Sequence, residues 1–252
     1  MNVGELLDEL RTGLLRDTST IKSGDPDTYW TDEQLVRYLD DAHNRFSRLA
    51  LCIHDATTPQ VTQVVLQNGI DTYSLHRSVI SVLSARHQDD AQDLVRLSRD
   101  RATTYSNPFT ETFEFVIVPT PGKPNSFTTD ESIVPNEKAN PRIRFFGVPD
   151  STQAGKVVYL RTIRKPLKKF SLDDTDDEPE IPEEYHLELV EWAAWRALRN
   201  WDIDSEDRAK ADAHKKRFED AILECKRDVL RKRWQALGWS FGQNAYAGYV
   251  KN

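Results

Sequence analysis

The sequence predicts an α+β protein: a helical bundle formed by an N-terminal and a C-terminal helix pair, with an antiparallel β domain inserted between them and an extended C-terminal arm. Three observations predict it. Apolar residues recur at helical spacing up to about Asp55 and again only from Pro182. Between those points they gather in strand-length runs, QVTQVVLQ, SVISVLSAR, DLVRLSR, TFEFVIVP, PRIRFFGVP and KVVYLRTIRKP, separated by the turn-forming clusters NPF, PTPGKPNS and PNEKANP. Beyond Gly238 neither pattern persists. The expected boundaries are residues 1–58 and 181–237 for the bundle, 59–170 for the β domain, 171–180 for an acidic linker and 238–252 for the arm.

Residues 3–16 read as a short amphipathic helix with Val3, Leu6, Leu7, Leu10 and Leu14 on one face. A polar loop, DTSTIKSGDPDTYW, follows. The second helix begins at a T-x-x-Q capping box, Thr31 with Gln34, and its apolar stripe runs through Leu35, Tyr38, Leu39, Ala42, Phe46, Leu49 and Ile53. Six short strands are expected next. No intervening segment is long enough for a crossover helix, so they should pair antiparallel as a sheet, sandwich or barrel. The stretch after Pro119 reads as a long loop. From Leu172 to Glu180 there are six acids and no base, just after Arg161, Arg164, Lys165, Lys168 and Lys169. The acidic run reads as an exposed linker, and the two runs can screen each other or meet opposite charges on neighbours.

The segment IPEEYHLELVEWAAWRALRNWD, residues 181–202, carries three tryptophans within ten positions. At 100° per residue Leu187, Val190, Ala194, Ala197, Leu198 and Trp201 share one stripe. Trp192 and Trp195 fall outside it, beside Glu188 and Arg199. A helix of this kind needs cover on two sides, from another helix of the chain or from another subunit, which makes Trp192 and Trp195 candidates for a subunit interface. The last helix starts at the N-cap Ser205 and buries Ala211, Phe218, Ile222, Cys225 and Val229, with Glu206–Lys210, Asp212–Lys216 and Asp228–Lys232 as i,i+4 pairs. Running to about Gly238, it is a rod of roughly 45 to 50 Å. The tail GWSFGQNAYAGYVKN interleaves aromatics with Gly, Ser, Asn and Ala. That pattern suits an arm that becomes ordered on a partner.

Composition narrows the function. The two cysteines, Cys52 and Cys225, lie in apolar helical patterns and point to reduced, buried thiols. The N-terminus has no apolar run of the secretory type, and no stretch approaches the roughly 20 apolar residues of a membrane span. A net charge of −7 argues against wrapping nucleic acid and suits a surface past which DNA slides. Phosphate loops, zinc-protease motifs and nucleophile elbows are missing from the sequence, so no cofactor or metal is expected. A metal-dependent enzyme would have to gather Asp40, Asp41, His43 and His186, and the adjacent aspartates read better as a solvated helix face. A protein-interaction module outside phages would share the helices but would leave the aromatic arm unexplained.

In the order of its parts the chain resembles the head-to-tail adaptors of tailed phages, the connectors beneath the portal. The resemblance rests on the ELLDELRTGLLRD helix, on YWTDEQLVRYLDDAHNRF after a polar loop, on a β block entered through DTYSL, and above all on IPEEYHLELVEWAAWRALRNWD. His76 stands where the family pattern has proline after Tyr73 and Leu75. The resemblance implies a non-enzymatic ring of twelve copies in the virion neck, bound to the portal above and to tail or nozzle proteins below, with DNA passing through its lumen and no membrane partner. It also implies that the C-terminal extension lies along the portal, and Trp234, Trp239, Phe241, Tyr246 and Tyr249 are the expected docking residues.

Overall fold

The computed structural model describes residues 1–15, 29–97, 120–130, 140–199 and 205–236. In chain order the helices are α1 Val3–Asp8, α2 Asp32–Ala50, α3 Pro59–Thr62, α4 Glu188–Arg199 and α5 Ser205–Ala236. The strands are β1 His54–Asp55, β2 Gln63–Val65, β3 Thr72–Ser74, β4 Val79–His87, β5 Val95–Arg96, β6 Ser126–Asp130, β7 Arg142–Phe146 and β8 Val157–Arg164. The fold is α+β, and the chain divides into two compact units, residues 1–53 with 166–252 and residues 54–165.

In the first unit α1 is started by a capping box between Asn2 and Glu5 and runs on as a π-helical turn, Glu9–Leu15. Arg11 ties that turn to the start of α2: its Nε donates to Asp32 at 2.8 Å and a guanidinium nitrogen donates to the Trp30 carbonyl at 2.9 Å. The Thr31–Gln34 box caps α2 from both directions. The helix ends earlier than its apolar stripe, at Ala50, because Leu51 turns left-handed at φ 55° and its N–H closes on the Ser47 carbonyl. Ile53 still reaches the core from beyond the helix. One buried cluster joins Leu6, Leu10, Leu35, Leu39, Phe46, Leu189 and Phe218, drawn from α1 and its π-helical turn and from α2, α4 and α5.

The acidic segment is fastened at several points. Phe170 is buried with its ring stacked 4.7 Å from His43, and its N–H donates to Asp40 at 3.1 Å. The carboxylate of Glu180 accepts the N–H groups of Leu167 and Lys168, while the Glu180 N–H donates to His43 Nε2 at 3.0 Å. Carbonyls of Thr175 and Asp177 accept the N–H groups of Gly4 and Val3, two of the unpaired donors that open α1. The segment is therefore a strap held largely by its backbone, with the side chains of Asp173, Asp174, Asp176 and Glu178 turned outward.

Among the described residues the second unit holds two four-stranded sheets. In one, β4 runs along β8 from Val79 to His87. A strand has two edges, so β1 and β2 share the other, β1 at Thr162–Ile163 and β2 at Val157–Tyr159. Alternation along β8 buries Val158, Leu160 and Thr162 and exposes Tyr159 and Arg161. The second sheet runs β3-β7-β6-β5 and is antiparallel except where β5 meets β6. Strand β6 lies in the stretch that its Pro, Gly and Asn neighbours mark as loop, and it buries Phe127 completely. Among the described residues of DLVRLSR only Val95 and Arg96 form strand, the first half of QVTQVVLQ is the turn of helix α3, and TFEFVIVP lies outside the described residues. At His76 the imidazole Nδ1 meets the Ser78 hydroxyl at 2.8 Å inside a turn closed by the Val79 N–H on the His76 carbonyl.

Candidate subunit interface

Helix α4 buries Leu189, Val190, Trp192, Ala193, Ala194 and Ala197, more of its circumference than one stripe allows, whereas Leu187 is half exposed. Two helices of its own unit cover it. From α5, Phe218 packs its ring 5.1 Å from Trp192, and from α2, Arg45 lays its guanidinium 4.3 Å over the same indole. Trp192 is only 5% exposed. Its indole N–H donates to Asp41 at 2.7 Å, and Arg196 donates to the same carboxylate oxygen at 2.8 Å. Trp192 thus fills the interior of the chain and leaves Trp195 as the outward member of the pair.

Trp195 is partly buried. Its ring lies 4.3 Å from that of Trp192, with Arg199 and Lys215 at 5.3 and 5.7 Å from its centroid. The two tryptophans floor a surface hollow of about 500 Å3 whose described lining is otherwise Arg45, Arg196, Arg199 and Lys215. Among the described residues no carboxylate lines it. Arg196 is paired with Asp41, and Lys215 reaches Glu219 only at 3.8 Å. Arg45 and Arg199 have no ion pair among the described residues, and the buried Nε of Arg45 has no hydrogen-bond partner. An aromatic floor beneath unneutralised guanidinium groups is the composition found in the centre of protein interfaces rather than on inert surface. On the other flank Glu191 is closed off within the chain, accepting from His214 at 2.6 Å and Arg217 at 3.3 Å. Burial pushes its carboxyl up, but those two partners outweigh it and hold the group below the ordinary range.

Several assignments resolve differently from one another. Asp40, Asp41, His43 and His186 do not converge: Asp40 holds the strap at Phe170, Asp41 clamps Trp192 and Arg196, His43 accepts from Glu180, and His186 Nε2 donates to the Ile181 carbonyl at 2.9 Å. Among the described residues no group of three or more His, Cys, Asp or Glu side chains could hold a metal ion. Trp234 falls within α5, and Trp239, Phe241, Tyr246 and Tyr249 lie outside the described residues. In the sequence Asp41 reads as part of a solvated helix face, and Arg45 does not stand out. Their spacing of four, one turn apart on α2, was the available signal, since both then face whatever packs there.

No curated protein matches the chain. The sequence profile of the SU10 adaptor protein matches residues 1–239. The chain therefore belongs to the SU10 adaptor protein family, a family of phage head-to-tail adaptors, which makes a structural role and a place in the virion its expected lot. No described helix is long and apolar enough to cross a membrane.

Proposed function

From that membership we propose that the protein forms a twelve-copy ring beneath the portal of a tailed bacteriophage, joins the DNA-filled head to tail or nozzle proteins, and lets DNA pass through its lumen. The observation that carries this reading is the match to the adaptor family over residues 1–239. In it the helix pairs of residues 1–58 and 181–237 act as one bundle that builds the ring, and residues 59–170 are an inserted β domain. Trp195, backed from beneath by Trp192, forms the subunit interface. The composition of the hollow supports this, because tryptophan and arginine dominate interface energetics when they are desolvated together. The net charge of −7 supports passage of DNA without retention.

The C-terminal arm docks on the portal through Trp234, Trp239, Phe241, Tyr246 and Tyr249. Residues 240–252 lie beyond the family match, so the docking role of Phe241, Tyr246 and Tyr249 rests on their aromatic character alone. In a phage unable to make the protein, heads should fill with DNA and accumulate without tails, and adding purified protein should restore joining. Normal tailing without the protein would refute the function.

A further inference from the structure

On α2, Asp41 and Arg45 meet the tryptophans of α4, whereas Asp40 and His43 hold the strap at Phe170 and Glu180. At 100° per residue those pairs point about 150° apart around the helix. The cationic hollow and the acidic strap thus lie on opposite flanks of the same helical unit. Their charges are complementary. The described lining of the hollow has four cations and no carboxylate, with Arg45 and Arg199 unneutralised. On the strap, Asp177 is paired with Lys168 and Glu180 is occupied by backbone N–H groups, while Asp173, Asp174, Asp176 and Glu178 are exposed with no ion pair among the described residues.

We propose that in the ring the hollow of one copy receives the acidic strap of the next, with carboxylates of Asp173, Asp174 and Asp176 set against Arg45, Arg199 and Lys215 over the face of Trp195. Two different, complementary patches on opposite flanks make a head-to-tail contact, the kind that closes into a ring, whereas one self-complementary patch would stop at a dimer. Trp195 supplies the desolvated floor against which charge-assisted hydrogen bonds gain strength. The inference rests on the ring reading above and names the two surfaces that build the ring.

The test is charge exchange in the full-length protein, read as copies bound per purified portal ring. Arg199→Glu with Lys215→Glu, and separately Asp173→Lys with Asp174→Lys and Asp176→Lys, should each lower incorporation about tenfold or more, since each places like charges face to face. Combining both sets in one chain should restore the ring. All five side chains are at the surface, so unchanged thermal unfolding will certify the fold. As a measurement that needs no substitution, assembly of the unaltered protein should weaken steeply with added salt.

Full incorporation of either reversed variant, or assembly indifferent to salt, would overturn the inference and leave the ring reading standing. If reversing the hollow lowers incorporation while the strap variant is silent, the strap is not the hollow's partner and the inference is overturned. It is overturned equally if reversing the hollow keeps the ring but impairs DNA retention, since the cations then face nucleic acid. Failure of the unaltered protein to multimerise on portals would remove both readings.

Discussion

Substituting Trp192 and Trp195 one at a time separates packing inside the chain from assembly between chains. Trp192 is 5% exposed, wedged between Phe218 of α5 and Arg45 of α2, and its N–H is bonded to Asp41. Trp192→Ala removes a fully packed indole, which costs about 3–5 kcal/mol by analogy with buried aromatic truncations. Asp41 keeps Arg196 as a partner, so no unpaired buried carboxylate adds to that cost. In a chain of this length the loss corresponds to a fall in Tm on the order of 10 °C. Trp195 is partly exposed, so Trp195→Ala should cost the isolated chain about 1 kcal/mol. Its effect on assembly should be larger, about 2 kcal/mol or roughly thirtyfold in affinity. Thermal unfolding followed by circular dichroism, together with titration onto purified portal, gives both numbers. Equal destabilisation by the two substitutions, with assembly affected only through loss of folded chain, would refute the division of labour.

Truncation at Leu237 should leave unfolding unchanged and abolish portal binding, read by co-sedimentation with portal. Gly147→Ala should destabilise the unit of residues 54–165 by about 1–3 kcal/mol, because φ is +90° there and an added Cβ would stand 2.4 Å from the Lys123 carbonyl oxygen; urea unfolding reads the loss. That unit should also weaken in two stages on acidification, followed by hydrogen exchange of its amides. His87 is fully buried, and desolvation holds its imidazole below the ordinary value; stability present above about pH 6.5 therefore declines as pH falls through the lower folded value, and His87→Gln should remove this stage. Asp55 follows. Burial alone would raise its carboxyl, but the Thr58 and Thr57 amides and the Arg164 guanidinium at 2.6 Å outweigh it and hold it far below the carboxylate range. Its contribution is present above about pH 4 and is lost as pH falls further.

Local chemistry was legible in the sequence where one element decides the outcome. The Thr31–Gln34 box and the buried positions Ala211, Phe218, Ile222 and Cys225 of α5 stand as their spacing predicts. Tertiary choices were not legible. Helical periodicity carries through Leu51, yet the backbone leaves the helix there. Proline and glycine hide β6 because turn residues set the local propensity, while pairing with β7 and burial of Phe127 decide the strand. The strap read as a linker because its side chains are acidic, and composition says nothing of the backbone bonds that fasten it to α1 and α2. At the candidate interface the tryptophan pair stood out by its position off the stripe. Its partners did not: Asp41 reads as a solvated acid until α4 is laid against it.

The adaptor role is tested most directly by imaging purified portal incubated with this protein and counting the copies bound. A closed ring of twelve is expected on the tail-facing side of the portal, with the acidic strap of each copy in the Trp195 hollow of the next. Portal left bare, or decorated by scattered single copies that do not touch one another, would contradict it.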